Sequence, residues 1–228
     1  MRFKGILVLA GCLFAQLSGA QQLKIVPVFG QQLVELGSAS YTSMKGESLR
    51  FTNLGFYLSD FSWTDSSGKE IKQPERTELL QAEPEAESLI LSAPIPAGRL
   101  CFRFGLDSAL QVSGRMDGSL DPARGMYWAW NTGYIQFRLE GFSPDSHGKK
   151  GKFEFHLGGY AAPYATSARV CLQILPPTFP GRPSEIYLDL QSFFDALSLK
   201  KTYSVLVPGK EAAFLSGIIA KSFRSSIK

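Results

Sequence analysis

Histidine is scarce in this chain. Of 228 residues only His147 and His156 carry an imidazole. That scarcity excludes a paired-histidine zinc motif, and any Ser-His-Asp triad has to use one of these two. The Gly-x-Ser-x-Gly elbow is missing, as are the glycine patterns of Walker and Rossmann loops. The chain also lacks an excess of one charge, with 24 basic and 20 acidic residues. Without residues 1–20, which hold Arg2 and Lys4, the balance is 22 minus 20, or +2. Such a balance calls for no nucleic-acid partner, and Lys149, Lys150 and Lys152, with Lys200 and Lys201, read as solvated turns. Beyond the N-terminus no apolar run is long enough for a transmembrane helix. With no acid–base constellation in view, the chain reads as a binding protein and not an enzyme.

What is present at the N-terminus is the layout of a secretory signal. Arg2 and Lys4 precede a short apolar run over residues 5–17, and Ser18-Gly19-Ala20 supplies the small residues before a cleavage site. Cleavage after Ala20 is expected, leaving residues 21–228 as one domain in the periplasm or cell envelope. Leu9-Ala10-Gly11-Cys12 also matches a lipobox, so a lipid anchor on Cys12 is the alternative. Two cysteines remain, Cys101 and Cys171, each in a strand-like run. In an oxidising compartment an even pair favours a disulfide, the other reading being two reduced core thiols.

The hydrophobic pattern is mostly β. Residues 23–29 alternate around Pro27, which suits an edge strand. Residues 48–63 form a longer apolar run, and residues 73–88, acidic and proline-containing, read as a surface loop. Residues 107–126 are a long connection of little periodicity, and loops of that length in compact domains are often functional. In residues 152–157, Phe153, Phe155 and Leu157 share one face, so His156 points the other way with Lys152 and Glu154. Residues 191–197 suggest a helical turn, and residues 211–223 an amphipathic helix. Many short strands predict an all-β antiparallel sandwich with long loops and a short C-terminal helix.

The densest feature is Gly125-Met126-Tyr127-Trp128-Ala129-Trp130-Asn131-Thr132-Gly133-Tyr134, with two of the three tryptophans. Read by itself, it is a core corner or a platform on which Tyr127, Trp128, Trp130 and Tyr134 meet a glycan or protein partner. His147 lies in a polar turn. Asp107 and Asp121 are loop acids, compatible with calcium but more typical of turns.

Taken in order, Gly105-Leu106-Asp107-Ser108, Leu120-Asp121-Pro122, the aromatic block, Leu139-Glu140-Gly141 and Phe155-His156-Leu157-Gly158-Gly159-Tyr160 resemble the MbnP-like family of exported copper-binding proteins. The form is that common in Bacteroidota. Upstream, Leu54-Gly55-Phe56-Tyr57-Leu58-Ser59 is similar to that family's first signature strand. The resemblance implies a periplasmic or surface β-sandwich that binds copper, Cu(I) or Cu(II). It also implies that a tryptophan is oxidised to kynurenine by a partner dihaem enzyme related to cytochrome c peroxidases and MauG. By that resemblance His156 is the first candidate ligand and Trp128 and Trp130 are the candidates for modification. Met126 is a candidate soft ligand, since thioethers suit Cu(I). A site with two imidazoles would need both His147 and His156.

Overall fold

The structure is a computed structural model that describes residues 21–82, 89–94, 97–128, 133–177, 179 and 182–225. The expected signal sequence over residues 1–20, with Cys12, and Trp130 lie outside the described residues.

In chain order the strands are β1 (Gln21–Phe29), β2 (Gln32–Leu33), β3 (Tyr41–Thr42), β4 (Ser48–Thr64), β5 (Glu70–Ala82), β6 (Leu89–Ala93) and β7 (Gly98–Phe104). Helix α1 (Ser108–Val112) follows, then β8 (Tyr127–Trp128), β9 (Gly133–Phe142), β10 (Lys152–Gly158), β11 (Ala168–Ile174) and β12 (Ser184–Asp189). The chain ends through α2 (Gln191–Ala196), β13 (Ser204–Val205), α3 (Lys210–Lys221) and β14 (Phe223–Arg224). One sheet runs β14-β12-β1-β2, with β6 also on β1. The larger runs β11-β7-β4-β9-β10-β13, with β3 and β5 on β4 and β8 on β9. The β-sandwich expectation holds. Most pairings are antiparallel, and β1–β12 and β10–β13 are parallel.

Between the sheets lies a core of alternate strand residues, among them Ile25, Leu188, Phe56, Phe104, Phe137 and Phe155. Phe193 and Phe194 of α2 close it, Phe193 meeting Phe155 edge-on at 4.9 Å between ring centres. Each such ring, fully buried, contributes roughly 2–3 kcal/mol by removal from water. The buried side of α3 is Ala212, Leu215 and Ile219, while Phe214 stays exposed. The C-terminal helix thus forms where the apolar spacing placed it.

Two expectations change. Residues 23–29 do not form an edge strand, because β1 lies between β12 and the pair β2 and β6. Pro27 is tolerated since β6 ends its pairing at Ile25 and β2 begins at Val28, so the missing N–H falls in the gap between partners. The polar stretch 73–82 is strand, paired to β4 as β5. Its pairing steps from Phe61↔Gln73 to Ser59↔Thr77, which leaves Pro74 in a bulge opposite Asp60. Composition read as a loop because an edge strand carries charges for its own protection.

Cys101 and Cys171 are directly opposed on β7 and β11 and form a disulfide. It lies on the outer face of the large sheet, away from the core.

Candidate metal centre

The long connection after β7 folds back over the outer face of the large sheet and buries a second apolar cluster. Tyr57, Leu106, Leu120, Met126, Trp128, Tyr134 and Ile135 form it. The sheet pins this flap through side chains. Tyr57 donates to Ser119 O at 3.0 Å, and Tyr134 donates to Arg115 O and Leu120 O at 2.5 and 3.0 Å. Fully buried Gln136 accepts from Leu106 N at 2.9 Å and donates to Gly159 O at 3.0 Å. Burial pushes the Tyr57 hydroxyl well above its usual value, with Tyr134 adding to the shift.

Within the flap, Asp107 accepts from Leu110 N at 2.8 Å and caps α1. Asp121 accepts from Ala123 N at 2.9 Å and caps the following 3-10 turn. Neither joins a group of three metal-ligating side chains among the described residues, and both act as caps.

Trp128 rests on bare backbone. A Cβ on Gly158 would stand 2.6 Å from Trp128 Cζ3. The glycine of the His-Leu-Gly-Gly run is therefore the seat of the indole, two residues beyond His156 on the same strand. Met126 Sδ lies over Gly55 in the same way, 3.5 Å from the place of a Cβ. Trp128 and Tyr134 are buried, at 6% and 3% exposure, so they do not form the exposed platform considered from sequence.

Beside Trp128 the pleat of β9 and β10 builds a polar grid. Arg138 is opposite His156 and Glu140 is opposite Glu154. His156 donates from Nε2 to Glu140 Oε1 at 2.7 Å, and Arg138 Nε donates to the same oxygen at 2.7 Å. Arg138 also donates to Gly125 O at 3.3 Å, joining the grid to the flap. Lys152 Nζ lies 2.5 Å from Glu154 Oε1 and 4.0 Å from Glu140 Oε2. The hydrogen bond from His156, with that of Arg138, lowers the Glu140 carboxyl to about 2 against the cost of burial. Two carboxylates in register repel by roughly 3 kcal/mol at an effective dielectric near 20, so the two flanking cations explain why the pair is tolerated.

Glu140, Glu154 and His156 offer ligand atoms all within 4.8 Å of one another. Two donors bound cis to one ion at about 2.0 Å stand about 2.8 Å apart, close to the His156–Glu140 separation. One imidazole nitrogen and two carboxylate oxygens are donor types that a transition metal accepts. Glu140 and Glu154 were not expected as ligands. Alternation had placed Glu154 on the face of His156, but Glu140 required the register of β9 against β10. His147 is exposed in the turn after β9 and is no part of this cluster. Met126 is separated from His156 by Arg138 in the row Gly55–Arg138–His156 across β4, β9 and β10.

Fold and site together define a β-sandwich protein with a histidine–carboxylate cluster on the face of the large sheet that also carries a buried indole. The MbnP family model matches residues 18–208, and the chain belongs to that family. Among solved structures the fold is similar to MbnP from Methylosinus trichosporium, with a TM-score of 0.59 and 16% identity. That match covers 79% of this chain and 78% of the other. No curated protein matches.

Proposed function

We propose that this protein is exported, binds copper beside His156, and serves copper handling or acquisition without catalytic turnover. The carrying observation is the convergence of His156, Glu140 and Glu154 within 4.8 Å on the outer face of the large sheet. Membership of the MbnP family, which is linked to copper handling in general, supports the choice of metal. His156 would hold the ion through imidazole nitrogen and the glutamates through oxygen, and the bound metal supplies a Lewis-acidic and redox-active centre. Arg138 would keep Glu140 ionised and aimed. The Cys101–Cys171 disulfide suits an oxidising compartment, which supports a periplasmic or envelope location. No helix among the described residues is long and apolar enough to cross a membrane.

The same reading takes Trp128 or Trp130 as the residue a partner dihaem enzyme oxidises. Cleavage of the indole C2–C3 bond, with two oxygen atoms from dioxygen or peroxide and hydrolytic loss of formate, leaves kynurenine with an aromatic amine. That amine has a lone pair which the indole N–H lacks. The seat of Trp128 on Gly158, near His156 along β10, supports this assignment.

The test is copper titration against a competing chelator, with peptide mass spectrometry on protein from its native envelope. Wild type should bind copper and His156→Ala should lose at least tenfold in affinity. Equal affinity in the two, together with unmodified Trp128 and Trp130, would overturn the reading.

A further inference from the structure

We propose that the cavity between the start of β4 and the loop joining β9 to β10 is a binding site for an anionic sugar, one whose pyranose ring carries a phosphate or a carboxylate. The site uses neither His156 nor Glu140 and stands apart from the copper reading.

Register builds its floor. Arg50 of β4 and Lys152 of β10 are both paired to Phe142 of β9, so one aromatic residue stands between two cations in a single row across the sheet. The Arg50 guanidinium lies over the Phe142 ring, 5.5 Å from its centre, which steadies a side chain that is otherwise exposed. Ser48, two residues before Arg50 on β4, shares its face. The loop closes over this row. Gly151 N donates to Gly148 O at 2.9 Å, and Ser143 N donates to Gly151 O at 2.8 Å. The turn so made holds Lys150 at φ +56, in the left-handed region that favours glycine. Residues other than glycine kept in such conformations cluster where a ligand site uses their side chains.

The enclosed cavity has a volume of about 430 Å³, within the range that takes a small molecule. Arg50, Phe142, Lys150, Ser40, Ser48 and Ser146 line it, and among the described residues no acid does. Arg50 and Lys150 have no ion-pair partner among the described residues, whereas Lys152 is held by Glu154 and Arg138 by Glu140. Asp145, in the same loop, accepts from Ser48 N at 3.1 Å and is not part of the lining. Two cations left without a carboxylate, on a cavity without an acid, make a place for an anion.

The remaining lining says what carries that anion. The hydroxyls of Ser40 and Ser48 have no partner among the described residues, and each can donate or accept. Hydroxyls beside a half-buried aromatic ring suit a molecule that is polar at its edge and apolar on its face, as a pyranose is. Phe142 and Lys150 also line a second cavity of about 490 Å³, with Lys149, Tyr203 and the Lys152–Glu154 pair. A second sugar unit therefore has room to continue past the ring.

The experiment titrates the purified protein by calorimetry with glucose 6-phosphate and with glucuronate, in phosphate-free buffer of low salt. Glucose and inorganic phosphate are the comparisons. Wild type, Arg50→Gln and Lys150→Gly are measured, with thermal midpoints confirming that each is folded. Lys150→Gly removes the cation and relieves the left-handed residue, so its midpoint should not fall. At least one acidic sugar should bind wild type saturably, and roughly tenfold more tightly than glucose or inorganic phosphate. Each variant should bind that sugar at least about fivefold more weakly, since one cation near the anion is gone. The tighter of the two acidic sugars tells a phosphorylated ligand from a uronic acid. Glucose or inorganic phosphate binding as tightly as the acidic sugars, affinity unchanged in either variant, or no saturable binding of either acidic sugar overturns the proposal.

Discussion

Replacing Gly158 with alanine should unseat Trp128. The backbone of Gly158 has no unusual demand on φ, so the effect is steric alone. The new Cβ would fall 2.6 and 2.9 Å from two atoms of the Trp128 ring and 2.7 Å from Tyr134 O. The carbonyl is part of the sheet and cannot retreat, so the ring must lift. Lifting a buried indole by about one ångström forfeits dispersion contacts and opens a gap against Tyr57, Met126 and Ile135. Overpacking of this kind costs about 1–3 kcal/mol, and the upper half of that range is expected because two of the three clashes are with one rigid ring. For a chain of this size that is a fall in melting temperature of roughly 5–10 °C. The control is Gly217→Ala in α3, where nothing lies within 4 Å of the new Cβ and helix propensity should add about 0.5–1 kcal/mol of stability. Urea unfolding followed by tryptophan emission measures both. The emission of folded Gly158→Ala should also shift to the red as the indole gains water. A loss below about 0.5 kcal/mol, or unshifted emission, would show that Trp128 does not rest on Gly158.

Reduction of the Cys101–Cys171 bridge, or its replacement by serines, should cost about 2–4 kcal/mol. The sequence separation of 70 gives a loop-entropy ceiling of about 4.4 kcal/mol, testable by urea unfolding with and without reductant. Glu140 has a carboxyl lowered from 4.5 to about 2, so its stabilisation is full above pH 4.5 and is lost as pH falls towards 2. Discounted for its remaining solvent contact, that is about 1–2 kcal/mol, visible as a falling urea midpoint between pH 6 and pH 3 and flattened in Glu140→Gln. Gln136→Leu should cost about 1–3 kcal/mol, because it orphans Leu106 N beneath the flap while Gly159 O keeps its bonds from Thr166, and hydrogen exchange at Leu106 should rise sharply.

Much of this fold was legible from local pattern. Alternation in residues 152–157 placed His156, Glu154 and Lys152 together on the outward face, and helical spacing found α3. What escaped was set by partners distant in sequence. Pro27 looked like an edge residue because the switch from β6 to β2 is invisible along β1 alone. Residues 73–82 looked like a loop because polar composition carries no trace of the β4 strand that pairs with them. Glu140 sat in plain view in Leu139-Glu140-Gly141, but its role depends on being opposite Glu154, and register is a property of two strands. The aromatic block was recognised as exceptional, while the reason for its form lies in what is beneath it.

That foundation has a consequence for engineering. The flap meets the sheet at positions without side chains. Gly55 receives Met126, Gly158 receives Trp128, and Gly105, at φ +86, leaves room for the amide of Gln136. The aromatic segment is one half of a mould. Grafted onto another sandwich without the vacancies at Gly55 and Gly158 it would find methyl groups where its thioether and indole must lie. A successful transplant would begin by emptying the host sheet before any ring is added.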